Sequence, residues 1–202
     1  MFKKYFLQWI LYLLLISPSI SAQETSLLGT IENGNYISPD KKFSMQIPLG
    51  TASIQDAPDH VNFLMKPQTV QDNIAYYRVE WYAVRDPINT PAAFYQRSAN
   101  FIPGYLQSQS VPFRPVMSKQ LMINGNPAFF FLATGKSERM QGFQKLIVPA
   151  IWVGTSINFV SSVIISSYLY FSKGEPNSSQ SLMSKVPWSD YEHFNATIKI
   201  LQ

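Results

Sequence analysis

The 202 residues contain no cysteine. That excludes a disulfide framework, thiol catalysis and any cysteine-based metal site. Histidine is nearly as scarce, with only His60 and His193. Charge is thin as well: 14% of the residues are charged, against ~25% in an average soluble domain. The net charge of +4 includes Lys3 and Lys4, which fall in a segment expected to be removed. The remaining 14 basic and 12 acidic residues are dispersed. A nucleic-acid surface needs a concentrated basic patch, so that partner class is excluded. No Gly-x-Ser-x-Gly elbow is present. Gly135-Lys136-Ser137 matches only the tail of a phosphate loop, because Phe130 stands where the loop needs glycine. What the chain has instead is apolar and aromatic content, 46% hydrophobic with 14% Phe, Trp and Tyr. This excludes disorder and predicts one compact, β-rich domain of ample core.

Residues 1–22 have the three parts of a secretory signal: Lys3 and Lys4, an apolar run from Phe6 to Ile16, and Ser17-Pro18-Ser19-Ile20-Ser21-Ala22. Cleavage is expected after Ala22, with Ser21 the alternative. Retained, the segment would instead be an N-terminal anchor helix. Residues 23–34 read as a flexible leader and 35–202 as a single α+β domain.

Leu146 to Phe171 is uncharged and long enough to cross a bilayer. Pro149, Gly154, Asn158 and five serines interrupt it. Its Val, Ile, Phe, Tyr and Trp content favours strands. It is therefore read as two buried strands that divide at Val153-Gly154-Thr155.

Phe43 to Ile47 and His60 to Met65 alternate as short strands. Ile74 to Val84 is the longest alternation. It sets Ala75, Tyr77, Val79, Trp81 and Ala83 inward, and Tyr76, Arg78, Glu80 and Tyr82 on a wetted face. Thr90-Pro91 starts a helix with a stripe of Phe94, Ser98, Phe101 and Tyr105, and Pro103-Gly104 is expected to kink or end it. Asn124-Gly125 turns a hairpin between Val116–Ile123 and Pro127–Thr134, the second strand being central. Gly135 to Gly142 reads as a charged loop and Lys173 to Lys185 as a mobile one. A last helix starts near Pro187, capped by Ser189 or Asp190, with Tyr191, Phe194 and Ile198 toward the sheet.

Tyr36-Ile-Ser-Pro39-Asp40-Lys-Lys-Phe43-Ser-Met-Gln-Ile47-Pro48, the Ile123-Asn124-Gly125-Asn-Pro127-Ala128 hairpin followed by aromatics, the uncharged strands and the closing helix together resemble the Mog1/PsbP-like α/β/α sandwich. The resemblance spans nearly all of the chain after the signal. Members often carry a Trp shortly after the proline, where this chain has Leu49-Gly50-Thr51. The resemblance implies an antiparallel sheet flanked by helices. Its members include a photosystem accessory protein, a binder of a nuclear GTPase and uncharacterised bacterial exported proteins. It supplies no catalytic residues, and fold alone does not give function.

The expected function is that of an exported, non-catalytic accessory or binding protein, periplasmic or extracellular. It has an envelope or other protein as partner, no cofactor and no membrane span after cleavage. Tyr76, Arg78 and Tyr82 are the candidate contact residues, since exposed aromatics and arginine favour interfaces; the Lys173–Lys185 loop is a further candidate surface. No catalytic set or metal set is expected. Asp190 and His193, one helical turn apart, make at most a partial metal site. Two alternatives remain: a secreted hydrolase using His60 or His193, and a protein spanning the membrane at 146–171. Asn177-Ser-Ser179 and Asn195-Ala-Thr197 match the glycosylation pattern, which matters only in a eukaryotic secretory route.

Overall fold

The computed structural model describes residues 27–66, 74–109, 111, 113–141, 144–172 and 183–201. The signal, its cleavage site, the start of the leader, Asn177 and most of the Lys173–Lys185 loop lie outside them. The described residues form two antiparallel sheets and two helices. Four short strands pair in the order β1 (Thr30–Glu32), β2 (Asn35–Ile37), β3 (Phe43–Gln46) and β11 (Lys199–Ile200). Seven strands make the main sheet: β4 (Thr51–Ala57), β5 (His60–Met65), β6 (Ile74–Ala83), β10 (Ser162–Phe171), β9 (Gln144–Asn158), β8 (Asn126–Gln141) and β7 (Phe113–Ile123), in that spatial order.

Helix α1 (Pro91–Gln107) covers one face of the main sheet; helix α2 (Trp188–Thr197) and the small sheet cover the other. Two apolar clusters result. Under α1, Phe94, Ile102 and Leu106 meet Phe131, Trp152, Ile165 and Leu169. Under α2, Tyr191 and Phe194 meet Phe63, Tyr77 and Val153, and Tyr36, Phe43 and Met45 of the small sheet join them. Each large side chain so enclosed contributes about 1.5–3 kcal/mol of transfer free energy.

Leu146 to Phe171 falls in β9 and β10, which pair with each other, and Ala150–Asn158 and Ile164–Tyr170 are buried on both faces. No helix of the described residues is long and apolar enough to cross a membrane. The division falls elsewhere than expected. Gly154 lies within β9, and the chain turns at Phe159-Val160-Ser161. Gly154 is there for packing: a Cβ on it would stand 2.0 Å from Cζ of the buried Phe131. Gly154→Ala is accordingly expected to cost about 1–3 kcal/mol through overpacking, read as a lower urea midpoint; a change below about 0.5 kcal/mol would contradict this packing account.

The turn itself holds a β-branched residue in the left-handed region, Val160 at φ 65°, a costly conformation. Asn158 holds it: its Oδ1 accepts the Val160 N–H at 3.2 Å, and its Nδ2 donates to the Ile88 carbonyl at 2.9 Å.

Five further expectations are corrected. Residues 135–141 are no loop, since β8 continues to Gln141 in register with β9, and Gly142 lies outside the described residues. The leader ends earlier than residue 34, because Asn33-Gly34, at φ 50° and 75°, closes the β1–β2 hairpin. This is the geometry that Asn124-Gly125 adopts between β7 and β8. Of the kink or end expected at Pro103-Gly104, the end is overturned: helix α1 runs through Pro103 to Gln107, with Tyr105 and Leu106 buried past the proline. Phe101 turns outward while Ile102 takes the buried position. Finally, α2 begins after Pro187 with no side-chain cap, so neither Ser189 nor Asp190 caps it.

Candidate functional site

An opening with convergent polar groups lies between the β7–β8 hairpin and α2. It holds about 480 Å³. Leu121, Ile123, Phe130 and Trp188 form apolar walls, with Lys119 and Glu192 at the rim. The hairpin fixes one wall: Asn124 at its tip donates from Nδ2 to the Ala196 carbonyl at the end of α2, 2.8 Å away.

The floor is polar and internally bonded. Thr155 and Tyr191 hydroxyls lie 2.8 Å apart, and Tyr191 donates to the Ser166 carbonyl at 3.2 Å. Thr155 is therefore the donor to Tyr191. Ser166 Oγ donates to Asn195 Oδ1. Burial pushes the Tyr191 hydroxyl up to about 12, against the hydrogen bonds it makes. An apolar groove of this size with a few fixed polar groups is the usual form of a ligand site.

The floor network is structural as well. Ser166→Ala leaves the Asn195 amide oxygen without that bond and is expected to cost about 1–3 kcal/mol. Its neighbour Ser167 is buried on the opposite face and makes no protein hydrogen bond. Ser167→Ala is expected to change stability by less than about 0.5 kcal/mol. Denaturant unfolding of both variants checks the contrast, and equal losses would contradict it.

The residues expected to bind lie on the other face of the sheet, beneath α1. Tyr76 stacks on Phe171, with ring centroids 6.3 Å apart. Arg78 Nη2 meets Glu80 Oε1 at 2.5 Å, and Tyr105 on α1 donates to Glu80 Oε2. Glu80 is 6% exposed, so this is no solvated sheet face; the helix covers it. The Arg78 partner is on its own strand rather than across strands. Burial first, then the charge and hydrogen bond of Glu80, hold the Tyr105 hydroxyl far above its ordinary range. Tyr82 alone is substantially exposed, with its ring against Phe101 beside a cleft of about 150 Å³. The structure thus gathers Tyr76, Arg78 and Tyr82 on one face, and Tyr82 lines the cleft there.

Around this ion pair sits a row of buried polar atoms. Asn62, Arg78 and Ser167 are register partners across β5, β6 and β10. Asn62 Oδ1, Arg78 Nε, Ser167 Oγ and Trp152 Nε1 have no protein hydrogen-bond partner. Tyr105 packs edge-on to Trp152 at 5.4 Å and so covers part of the row.

No family model and no curated protein matches this sequence. Solved structures do match. A Mog1 point mutant aligns over 85% of this chain and 97% of its own, with a TM-score of 0.50 and 8% identity. The fold is Mog1/PsbP-like. A Bacteroides thetaiotaomicron protein aligns over 85% of this chain with a TM-score of 0.47 and 13% identity, and this chain spans about half of that protein's length. LpqN of Mycobacterium tuberculosis, involved in cell envelope biogenesis, aligns over 79% of this chain and 83% of its own, with a TM-score of 0.39 and 12% identity.

Within this Mog1/PsbP-like frame the histidines lie apart from the groove. His60 meets Asp59 at 2.8 Å and His193 meets Gln46 at 3.2 Å. The hydrogen bond to His60 holds the Asp59 carboxyl below its ordinary range. Among the described residues no three His, Asp or Glu side chains gather to hold a metal ion. Sequence reasoning passed over the groove residues Phe130, Trp188 and Lys119. One signal was present: a tryptophan, Trp188, at the start of a polar helix, since tryptophan is enriched at interfaces.

Proposed function

We propose that the chain is an exported, non-catalytic accessory protein of the bacterial envelope or extracellular space that binds a partner in the groove between the β7–β8 hairpin and α2. The supporting observation is the groove itself: about 480 Å³, walled by Leu121, Ile123, Phe130 and Trp188 over a fixed floor of Thr155, Tyr191 and Asn195. Its side chains offer shape and apolar area rather than a nucleophile–base pair. The N-terminal signal pattern supports export. Tyr82 and Phe101 form a second, smaller contact patch on the α1 face, with Tyr76 and Arg78 beneath it as supports.

Ala196 is exposed on the groove wall, so Ala196→Trp fills the opening from outside the core. The variant should keep its fold by circular dichroism and lose co-purification of the envelope components that accompany the parent chain. Unchanged co-purification with the groove filled would overturn the assignment. Fractionation with intact-mass measurement tests the export half: a species lacking residues 1–22 is expected outside the cytoplasm, and a full-mass cytoplasmic protein would overturn it.

A further inference from the structure

We propose that β7 is a strand-addition site: an extended acidic–apolar segment of the partner pairs with it as an eighth strand of the main sheet. This rests on the groove being a binding site and names how the partner enters it. Among the described residues β7 ends the seven-strand order. It is eleven residues long, and Arg114 through Gln120 are all exposed. Every second residue of an edge strand points its N–H and C=O away from its one neighbour, so a ready hydrogen-bonding row faces outward.

Both faces of that edge are hollow. On the α2 face, Lys119, Leu121 and Ile123 form one side of the groove described above. On the α1 face, Gln120 borders a second, shallow depression of about 520 Å³ with Ala92, Tyr95, Gln96 and Ala99. An added strand sends successive side chains to opposite faces. Its odd positions therefore enter one hollow and its even positions the other, the arrangement by which strand addition obtains specificity. Met117 and Met122, 46% and 54% exposed, give adaptable apolar contact along the edge.

Charge selects the occupant. Strand β7 carries Arg114 and Lys119 and no carboxylate. A second copy pairing on the same edge would bring four cations together, whereas an acidic segment is complementary. Glu192 at the groove rim keeps the acidic groups on the strand side, with apolar groups deeper, against Phe130 and Trp188. The opposite edge, β4, differs. It has a register shift at Thr51/Ser53, and Asp56 accepts the Leu28 and Gly29 N–H groups at 3.1 and 2.8 Å. The bulge at Pro115/Met117 interrupts the strand and leaves Met117–Ile123 as its longest unbroken run.

The test uses the full chain as the producing cells process it, and a phage-displayed library of random ten-residue peptides. Enriched peptides should alternate apolar residues and carry Asp or Glu. Amide exchange should show new protection between Met117 and Ile123 when such a synthetic peptide binds. Lys119→Glu should weaken that peptide by about tenfold and leave the melting temperature unchanged. No enrichment, protection confined to β4 or to the Tyr82 patch, or a basic or helical-spaced consensus would overturn the proposal. So would protection of β7 that appears without peptide as the chain dimerises, since the occupant would then be a second copy. If no peptide pairs with β7 while Ala196→Trp still abolishes partner retention, the groove stands and the strand-addition mode alone fails.

Discussion

Glu80→Ala is expected to destabilise the protein by about 3–5 kcal/mol. Glu80 sits beneath α1 and answers two groups at once, the Arg78 guanidinium at 2.5 Å and the Tyr105 hydroxyl. Removing it leaves a largely buried cation without its counter-charge, and Arg78 Nε already has no protein partner. It also strips Tyr105 of its acceptor. The loss arises from the stranded partners, not from any large net gain of the intact pair. Replacing both members with apolar residues, Arg78→Met with Glu80→Leu, is therefore expected to recover most of the loss. Were the pair on a solvated face, Glu80→Ala would cost at most about 1 kcal/mol. Urea unfolding of the single and double variants separates the two.

Alkaline pH should unfold the chain cooperatively. Unfolded tyrosines ionise near 10. Burial is the first cause that holds the Tyr36, Tyr77, Tyr105, Tyr168 and Tyr191 hydroxyls above that value, and Tyr168 and Tyr191 reach about 12. All five are at most 7% exposed. Above about pH 10 the unfolded chain has released protons that the folded chain retains, so folding free energy falls as pH rises. Each such tyrosine contributes at most about 1.4 kcal/mol per pH unit beyond that point. Together they can remove several kcal/mol within one unit, comparable with the whole ~5–15 kcal/mol stability of a domain. Stability should be level to about pH 9.5, and phenolate absorbance should then rise together with loss of sheet signal. Ionisation of these five tyrosines near pH 10 with the fold intact would contradict their burial.

The fold was largely legible because its signals are local. Alternation in Ile74–Val84 gave β6, the uncharged β-branched run gave β9 and β10, and Asn124-Gly125 gave the β7–β8 turn. The same dipeptide at Asn33-Gly34 gives β1 and β2 just as directly, although a polar surrounding reads as leader. Strand β4 has no such alternation, since Thr51–Ala57 is mostly half-exposed.

The site was less legible, and for a physical reason. Alternation reports two faces but not what covers each. Arg78 and Glu80 read as wetted because they are charged, while the group that buries Glu80 is a tyrosine 25 residues away. Gly154 read as a breaker, while the ring that requires it belongs to Phe131 on another strand. The groove depends on how far the hairpin stands from α2, a distance set by tertiary packing and by the Asn124–Ala196 bond. No spacing in the sequence encodes it.

The central claim is that the groove between the β7–β8 hairpin and α2 is where this protein meets its partner. The direct measurement is site-specific photo-crosslinking in the producing cells, with a photoreactive residue at Met122 on the groove and, as control, at Leu49. Both are exposed, at 54% and 92%, and Leu49 lies outside the groove lining. The account predicts discrete crosslinked products from position 122 that are absent from position 49 and vanish when Ala196→Trp is added. The same products from both positions, or products from 122 that survive the filled groove, would contradict it.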